Sequence, residues 1–302
     1  MAKKKRTKLD SWLQLVRIPN IFTVPGDILA GHAAVTAFTD FSLFKFSMLC
    51  LASALLYCGG LVLNDCFDYE EDLRERPKRP LPSGAISLQE AYAGWLIMTA
   101  ASLLICRMLS PASFKIAITI VILVILYNGP ARKFPKFAFI VMGLCRGFNI
   151  LLGASTAWES ENLALNASPI FITETLYILA VTYIAYNETR KLPKQIWCKM
   201  PFFISLGGII LCVIVYGSAA ISIYSVCAAL LFLLVTLKIC NSLDDSLPVK
   251  MIPPKIGQLI RNLMLLQAAF TVMAGKEYWW LALILLAAVP FASRISRKFY
   301  SS

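Results

Sequence analysis

Long apolar runs follow one another along almost the whole chain, and they restrict its fold more than any other feature. Of the 302 residues, 58% are hydrophobic and 15% are charged. Lipid offers no partner to backbone N–H and C=O groups, so only helices and closed barrels can cross a bilayer. Barrel strands alternate polar and apolar residues, whereas these runs are continuous and roughly as long as a spanning helix. The runs lie near residues 19–38, 44–63, 87–108, 112–128, 137–157, 170–187, 201–217, 219–240, 258–274 and 278–293.

This pattern predicts an all-α, polytopic membrane helix bundle with nine to ten transmembrane helices, ten being favoured. With the N-terminus inside and the loops alternating, 24 of the 29 Lys and Arg residues lie on the inner side and four on the outer side. Cytoplasmic loops of membrane proteins carry such an excess. We therefore expect a multi-pass protein, of the plasma or inner membrane if bacterial, with both termini and the acidic segment described below on the cytoplasmic side. The basic residues of 294–302 lie on the cytoplasmic side only if the number of transmembrane helices is even.

The same pattern of apolar runs and basic residues divides the chain into three parts. Residues 1–18 form a basic cytoplasmic tail with a stretch that lies at the membrane interface, residues 19–293 form a single transmembrane domain, and residues 294–302 form a second cytoplasmic tail. The net charge of +12 is then explained by topology and by attraction to anionic lipid headgroups. It requires no nucleic acid as a partner.

One hydrophilic segment, residues 64–84, holds six acidic and four basic residues. Asp65, Asp68 and Asp72 are spaced i, i+3, i+7, which places them on one face of a helix. Three neighbouring carboxylates repel one another unless a cation lies among them, and Mg²⁺ commonly joins carboxylates to the phosphates of a substrate. A solvated mixed-charge loop is the alternative. The order and spacing of the acids favour a Mg²⁺ site, to which Asn64 can add a carbonyl ligand.

Arg76 and Arg79 follow four and seven residues after Asp72. A guanidinium group can donate two parallel hydrogen bonds to phosphate oxygens. Acids that hold Mg²⁺ and arginines that hold phosphate therefore stand together beside a lipid-embedded bundle. This combination predicts a site for a diphosphate that carries an apolar chain.

Several stretches resemble the UbiA superfamily of intramembrane prenyltransferases. NDCFDYEED from Asn64 to Asp72, followed by RPKRPLPSG, is similar to the first aspartate-rich motif of that family. RIPN at 17–20 resembles the start of its first span, YNGPARK at 127–133 the end of its fourth, and GLCRGFNILLG at 143–153 its fifth. The last string, together with a tenth helix, looks closest to the EboC-like branch.

The resemblance implies transfer of a prenyl group from a polyprenyl diphosphate to an unidentified lipophilic or aromatic acceptor, with Mg²⁺ as cofactor. It implies that the catalytic residues and metal ligands are Asp65, Asp68, Asp72 and Glu188, with Asn64 as a further ligand. The implied or candidate substrate-binding residues are Asn20, Asn64, Arg76, Arg79, Lys133, Arg146 and Asn149.

The chain departs from the family pattern after the sixth span, where a second aspartate-rich motif is expected. Residues 185–194 read AYNETRKLPK, in which Glu188 is the only acid. In one interpretation, Glu188 with Asn187 forms a second metal site, and the cations that follow replace part of the metal's charge on the diphosphate. Alternatively, the protein binds a prenyl lipid without turnover, as a carrier or assembly partner in a biosynthetic membrane complex. Asp244 and Asp245 are also on the inner side, but NSLDDSLP is typical of a solvated turn.

Arg146 lies within the fifth apolar run, where a charge is costly and usually faces a polar interior. Two interpretations stay open. Arg146 contacts phosphate or acceptor, with Asn149 three residues further on the same helical face. Otherwise it forms an ion pair that fixes helix packing, for example with Asp27.

Overall fold

Serine side chains mark where several of the long helices begin. Ser42, Ser87, Ser110 and Ser222 each accept a hydrogen bond from the backbone N–H three residues later. This bond satisfies a group that the first turn of a helix leaves without a partner. Other helices carry proline in their first turn, where its missing N–H is not needed. The apolar runs therefore fold as separate helices joined by polar turns.

The structure is a computed structural model, and it describes residues 7–36, 38–157, 163–187, 194–244 and 247–300. Regular secondary structure in this part of the chain is entirely helical. The first seven α-helices are α1 (Lys8–Leu15), α2 (Ile18–Ile21), α3 (Val24–Val35), α4 (Leu43–Phe67), α5 (Tyr69–Glu75), α6 (Leu88–Leu109) and α7 (Pro111–Asn128). The others are α8 (Pro135–Ala154), α9 (Leu163–Tyr186), α10 (Gln195–Cys198), α11 (Met200–Tyr216), α12 (Ile223–Asn241), α13 (Ile252–Ala274) and α14 (Trp279–Tyr300). Short 3₁₀ turns lie at Phe38–Asp40, Pro130–Lys133, Ser155–Ala157, Gly217–Ala220, Val249–Met251 and Lys276–Tyr278.

Within the described residues, nine helical segments are long and apolar enough to cross a membrane. This confirms the predicted all-α membrane bundle. The segments are Leu43–Phe67, Leu88–Leu109, Pro111–Lys133, Pro135–Ala154, Leu165–Tyr186, Met200–Ala220, Ile223–Asn241, Val249–Ala274 and Lys276–Ile295.

The first predicted run, residues 19–38, is not one continuous helix. It is divided into α2, of four residues, and α3, of twelve, so neither alone can span a bilayer. Pro25 explains the break, because it has no N–H to bond the carbonyl of Ile21, the last residue of α2. Since α4 ends at the acidic segment, we count α2 and α3 together as the crossing that precedes it. The predicted range of nine to ten helices is thus met by nine long helices in the described part of the chain, and the first predicted run is a broken crossing rather than a tenth long helix.

Helix α3 lies at the centre of the bundle, in contact with α4, α8, α9 and α13. Ten of its twelve residues are buried. Two glycines allow α3 and α8 to approach closely: a Cβ at Gly31 would lie 2.0 Å from the Ile150 carbonyl oxygen, and one at Gly153 would lie 2.3 Å from that of Ile28. Small residues at helix contacts permit this packing in membranes. The backbone of α3 is therefore held directly against the helix that carries Arg146.

Helices α4 and α7 end at the same face of the bundle, and α8 begins there. Arg132, which follows α7, pairs with Asp68, which follows α4. The acidic segment and the turn at Pro130–Lys133 therefore lie together, although more than 60 residues of chain separate them. This face carries the candidate site.

Candidate functional site

Asp65 and Asp72 lie close together where α4 ends and α5 begins, and their side chains are 7% and 4% exposed. Nη1 of Arg79 is 2.6 Å from Oδ2 of Asp72 and 3.9 Å from Oδ1 of Asp65. Nη2 of Arg17 donates a hydrogen bond of 3.1 Å to Oδ1 of Asp65, and Nη1 of Arg76 lies 3.9 Å from Oδ1 of Asp72. We call these two carboxylates and three guanidinium groups the mouth group.

Asp68 has partners outside the mouth group. Asn64 donates its amide N–H to Oδ2 of Asp68, and Arg132 pairs with Oδ1. Because α4 ends at Phe67 and α5 begins at Tyr69, the spacing of the three aspartates does not follow one uninterrupted helix. Within the described residues, no three His, Cys, Asp or Glu side chains form a group that could hold a metal ion. The predicted convergence of three carboxylates is therefore corrected to a pair plus a separate aspartate.

The donor atoms of this region still suit a hard divalent cation. Asp65, Asp68 and Asp72 offer carboxylate oxygens, and Asn64 has a carbonyl oxygen opposite the amide nitrogen that bonds Asp68. Mg²⁺ takes oxygen ligands of this kind and is commonly held by one or two carboxylates with substrate phosphates. The residues therefore fit a Mg²⁺ site by their chemistry.

A polar pocket of about 510 Å³ opens beside the mouth group. Four basic residues and two acidic residues line it, so the pocket has a positive balance that suits an oxyanion. Arg17 has φ 48° and ψ 55°, a left-handed conformation that is uncommon for residues other than glycine. The charged lining residues are Arg17, Arg76, Lys78, Arg79, Asp65 and Glu75.

Sequence reasoning did not single out two cations that contact the aspartates, Arg17 and Arg132. Arg17 was recognised only as part of the RIPN string, although it bonds Asp65 directly. Lys133 was predicted as a phosphate ligand, but it is exposed and forms no ion pair with a described carboxylate, whereas Arg132 pairs with Asp68. Successive residues of a 3₁₀ turn point about 120° apart, so the sequence alone could not decide between them.

A second cavity, of about 300 Å³, extends from the mouth group into the bundle. On α4 its lining runs from Asn64 to Ser53, which corresponds to a depth of about 16 Å at 1.5 Å per residue. Arg17 lines both this cavity and the polar pocket, so the two spaces adjoin. The predicted substrate-binding residues Asn20, Asn64, Arg146 and Asn149 all line the cavity. Its middle is lined by apolar residues that include Leu56, Leu61, Val124, Val181, Ile260 and Leu263.

Arg146 and its partners form the deep end of this cavity. Nε of Arg146 lies 2.9 Å from Oδ2 of Asp27, and Nη2 donates to the Thr23 carbonyl at 2.9 Å. Asn149 donates to Asp27 at 2.6 Å and accepts a hydrogen bond of 2.5 Å from Ser53. We call these five residues the floor group. The ion pair with Asp27 is thus present, and Arg146 also faces the cavity, so the two interpretations of Arg146 do not exclude each other.

Two further buried polar residues adjoin the floor group, and the sequence reasoning did not single them out. Gln267 of α13 donates to Oδ1 of Asp27. Glu174 of α9 is fully buried, its Oε2 lies 4.0 Å from Nε of Arg146, and neither oxygen has a hydrogen-bond partner among the described residues. A lone acid within a predicted span was the available signal.

The acidic residues of the second candidate region lie largely outside the part of the chain that the structure describes. Glu188, Arg190 and Lys191 lie outside the described residues, as does Asp245. Asp244 is described; its carbonyl accepts a hydrogen bond from the backbone N–H of Leu247, as in a turn. The predicted role of Glu188 therefore stays a prediction.

Residues 27–192 match the family model of the UbiA prenyltransferase family. The chain belongs to this family. The matched region contains the acidic segment and most of the cavity lining, from α3 to the residues that follow α9. Family membership therefore rests on the part of the chain that builds the candidate site.

Curated relatives are similar over somewhat more than half of the chain. The digeranylgeranylglyceryl phosphate synthase of Sulfolobus acidocaldarius is 27% identical over 172 residues, which cover 57% of this chain and 59% of the relative. The enzyme of the same name from Saccharolobus solfataricus is 28% identical over 176 residues, or 58% and 60% of the two chains. The similarity thus spans less than two thirds of the length of these relatives.

Solved structures share the fold over a longer stretch. A structure of digeranylgeranylglyceryl phosphate synthase superimposes with a TM-score of 0.64 at 20% identity, covering 89% of this chain and 99% of the other. A UbiA homolog from Archaeoglobus fulgidus bound to GPP and Mg²⁺ gives 0.61 at 18% identity, with 87% and 98% coverage. The family fold therefore extends through most of the bundle.

Proposed function

We propose that the protein transfers a prenyl group from a polyprenyl diphosphate to a lipophilic or aromatic acceptor within the membrane. One observation carries this proposal: the acids and arginines of the mouth group lie at the opening of an apolar cavity. Arg17 lines both the polar pocket beside the mouth group and this cavity. An oxyanion held at the mouth would place an attached hydrocarbon chain beside the cavity. Named relatives make digeranylgeranylglyceryl phosphate, which supports geranylgeranyl diphosphate as the first donor to test.

We assign the metal site to Asp65, Asp68, Asp72 and Asn64, with Glu188 as a further ligand. Mg²⁺, when bound there, would supply Lewis-acid stabilisation of negative charge. Arg76 and Arg79 are assigned to the diphosphate, and the contacts of Arg17 and Arg132 with the same aspartates add these two residues to the set. Lys133 remains a weaker candidate because, within the described residues, it forms no ion pair with these aspartates, whereas Arg132 does.

The reaction breaks the C–O bond between the prenyl group and the diphosphate, and the electron pair leaves with the diphosphate. Guanidinium groups fixed at the mouth stabilise that charge as it develops. The acceptor nucleophile bonds to the prenyl carbon and loses its proton. Apolar walls such as Leu61, Val124 and Val181 exclude water, which would otherwise compete for the allylic carbon.

A non-catalytic prenyl-lipid carrier within a biosynthetic membrane complex is the second candidate. It is favoured by one observation, the single acid at the position of the second aspartate-rich motif. One carboxylate holds a second Mg²⁺ poorly, and the first acidic segment alone could support binding without turnover. Separately, we propose a closer relationship to the EboC-like branch, based on the string at residues 143–153 together with a tenth membrane crossing.

Release of pyrophosphate from geranylgeranyl diphosphate separates the two candidates. We expect the purified chain to release it only with Mg²⁺ and only when lipid or aromatic extracts supply an acceptor. Asp68→Ala should weaken Mg²⁺-dependent binding of the diphosphate by about 10–100-fold, because it removes a metal ligand. Binding without release would support the carrier, whereas absence of both binding and release would contradict both candidates.

The charge distribution leads us to propose that both termini and the mouth group face the cytoplasm, with residues 19–293 as one transmembrane domain. Basic residues concentrate at the end of α5 and just after it, after α7, at the end of α12 and at the start of α13, as expected for inner loops. A fluorescent protein fused after residue 302, of a kind that matures only in the cytoplasm, should therefore be bright. A dark fusion on a correctly inserted protein would reverse the orientation.

A further inference from the structure

The cavity is polar at both ends and mainly apolar between them, where Tyr57 is the polar residue on α4. Its outer end has Arg17, Asn20 and Asn64, and its deep end has Ser53 and Arg146 of the floor group. A prenyl chain is a hydrocarbon. If it filled the cavity, the polar groups at the deep end would face only apolar atoms, and burying polar groups without hydrogen-bond partners is unfavourable. The deep end therefore suits a ligand that carries a polar group far from the mouth.

Hydrogen bonds of the floor group run in one direction. The Ser53 hydroxyl donates to Oδ1 of Asn149, and Nδ2 of Asn149 donates to Asp27. The only proton of the Ser53 hydroxyl is thereby used, so this hydroxyl can offer the cavity only its lone pairs. Nη1 of Arg146 makes no hydrogen bond to described residues, so it remains a donor. An acceptor and a donor that line the same end of the cavity match a hydroxyl group.

The charge balance at the deep end excludes an anion. One guanidinium group, that of Arg146, stands between two buried carboxylates, Asp27 at 2.9 Å and Glu174 at 4.0 Å. Among the described residues at this end, the charge of Arg146 is already matched by Asp27, so no positive charge compensates a carboxylate or phosphate of the ligand, and an uncompensated charge is costly in this environment. The cationic residues that suit an anion lie at the mouth, about 16 Å away along α4.

We infer that the cavity binds an acceptor with two polar ends: a reacting group at the mouth and an uncharged oxygen function, such as a hydroxyl, at the floor group. Calling this ligand an acceptor rests on the proposed function. Its binding, however, requires neither Mg²⁺ nor a diphosphate. The acceptor class is therefore a lipophilic molecule with a second, remote oxygen group. Ser53 and Arg146 act as its specificity-determining residues.

Binding of decane-1,10-diol and decan-1-ol to the purified full-length chain tests the inference without Mg²⁺ or prenyl diphosphate. Native mass spectrometry of the protein released from detergent gives both dissociation constants. We expect the diol to bind at least about fivefold more tightly, the value of one net hydrogen bond. Ser53→Cys should reduce this ratio at least threefold, because sulfur is a weak acceptor of similar size.

Ser102→Cys is the matched control. Ser102 is a buried serine on α6 that donates to the Ala52 carbonyl and does not line the cavity, so the diol preference should be unchanged. Comparing the ratio between variants cancels the different partitioning of the two alcohols into micelles. Equal affinities in the wild-type protein, or an identical loss in both variants, would overturn the inference. Failure of pyrophosphate release would leave this binding result intact and would contradict only transferase activity.

Discussion

Asp72→Asn should lower kcat/KM for Mg²⁺-dependent prenyl transfer by about 10²–10³-fold, the effect of removing one preorganised charged contact from a reacting centre. Asp72 is buried, and its oxygens lie 2.6 Å from Arg79 and 3.9 Å from Arg76. Asparagine keeps the size of the side chain but removes the negative charge. The substitution therefore removes a proposed metal ligand and also releases the two arginines that we assign to the diphosphate.

Glu71→Gln is the matched control for Asp72→Asn. Glu71 precedes Asp72 on α5 and is exposed. Its substitution by glutamine removes one negative charge, as Asp72→Asn does. Its substitution should leave kcat/KM within about twofold, because exposed charges contribute little. Turnover should be measured over a range of Mg²⁺ concentrations. An equal loss in both variants, or a loss in Asp72→Asn with unchanged Mg²⁺ dependence, would contradict a metal-binding role for Asp72.

The membrane bundle could be predicted from the sequence because continuous apolar runs permit few other structures in lipid. The break between α2 and α3 follows from Pro25, which is visible in the sequence, but hydropathy alone does not register it. The close contact between Gly31 and the Ile150 carbonyl depends on which helices become neighbours. Neighbours of this kind follow from the three-dimensional packing and not from local pattern.

The candidate site was predictable where its residues are close in the chain. Asp65, Asp68 and Asp72 share one segment, and only their division into two groups differs from expectation. The floor group was predictable in part: an arginine within a span requires a polar partner, and Asp27 was the nearest candidate by chemistry. Gln267 contacts Asp27 across 240 residues of chain, and such a pairing requires knowledge of the fold.

Arg146→Met should lower the free energy of unfolding by about 3–5 kcal/mol, because it leaves a buried carboxylate without its partner. Asp27 is fully buried and Arg146 is 8% exposed. Methionine preserves most of the apolar volume of arginine, so loss of charge pairing is the main change. Unfolding in detergent, followed by tryptophan fluorescence at increasing denaturant, measures the effect.

A second substitution distinguishes pairing from general damage to the core. Asp27→Asn combined with Arg146→Met removes both charges of the pair, and we expect it to recover at least about 1 kcal/mol relative to Arg146→Met alone, the coupling typical of residues in contact. Arg107→Met, on an exposed arginine of α6, should change stability by less than about 0.5 kcal/mol. Strictly additive losses in the double variant would show that Asp27 and Arg146 are not coupled. Recovery would show that the cost of burying the charge on Asp27 depends on Arg146, and that the two residues stabilise the fold as a pair.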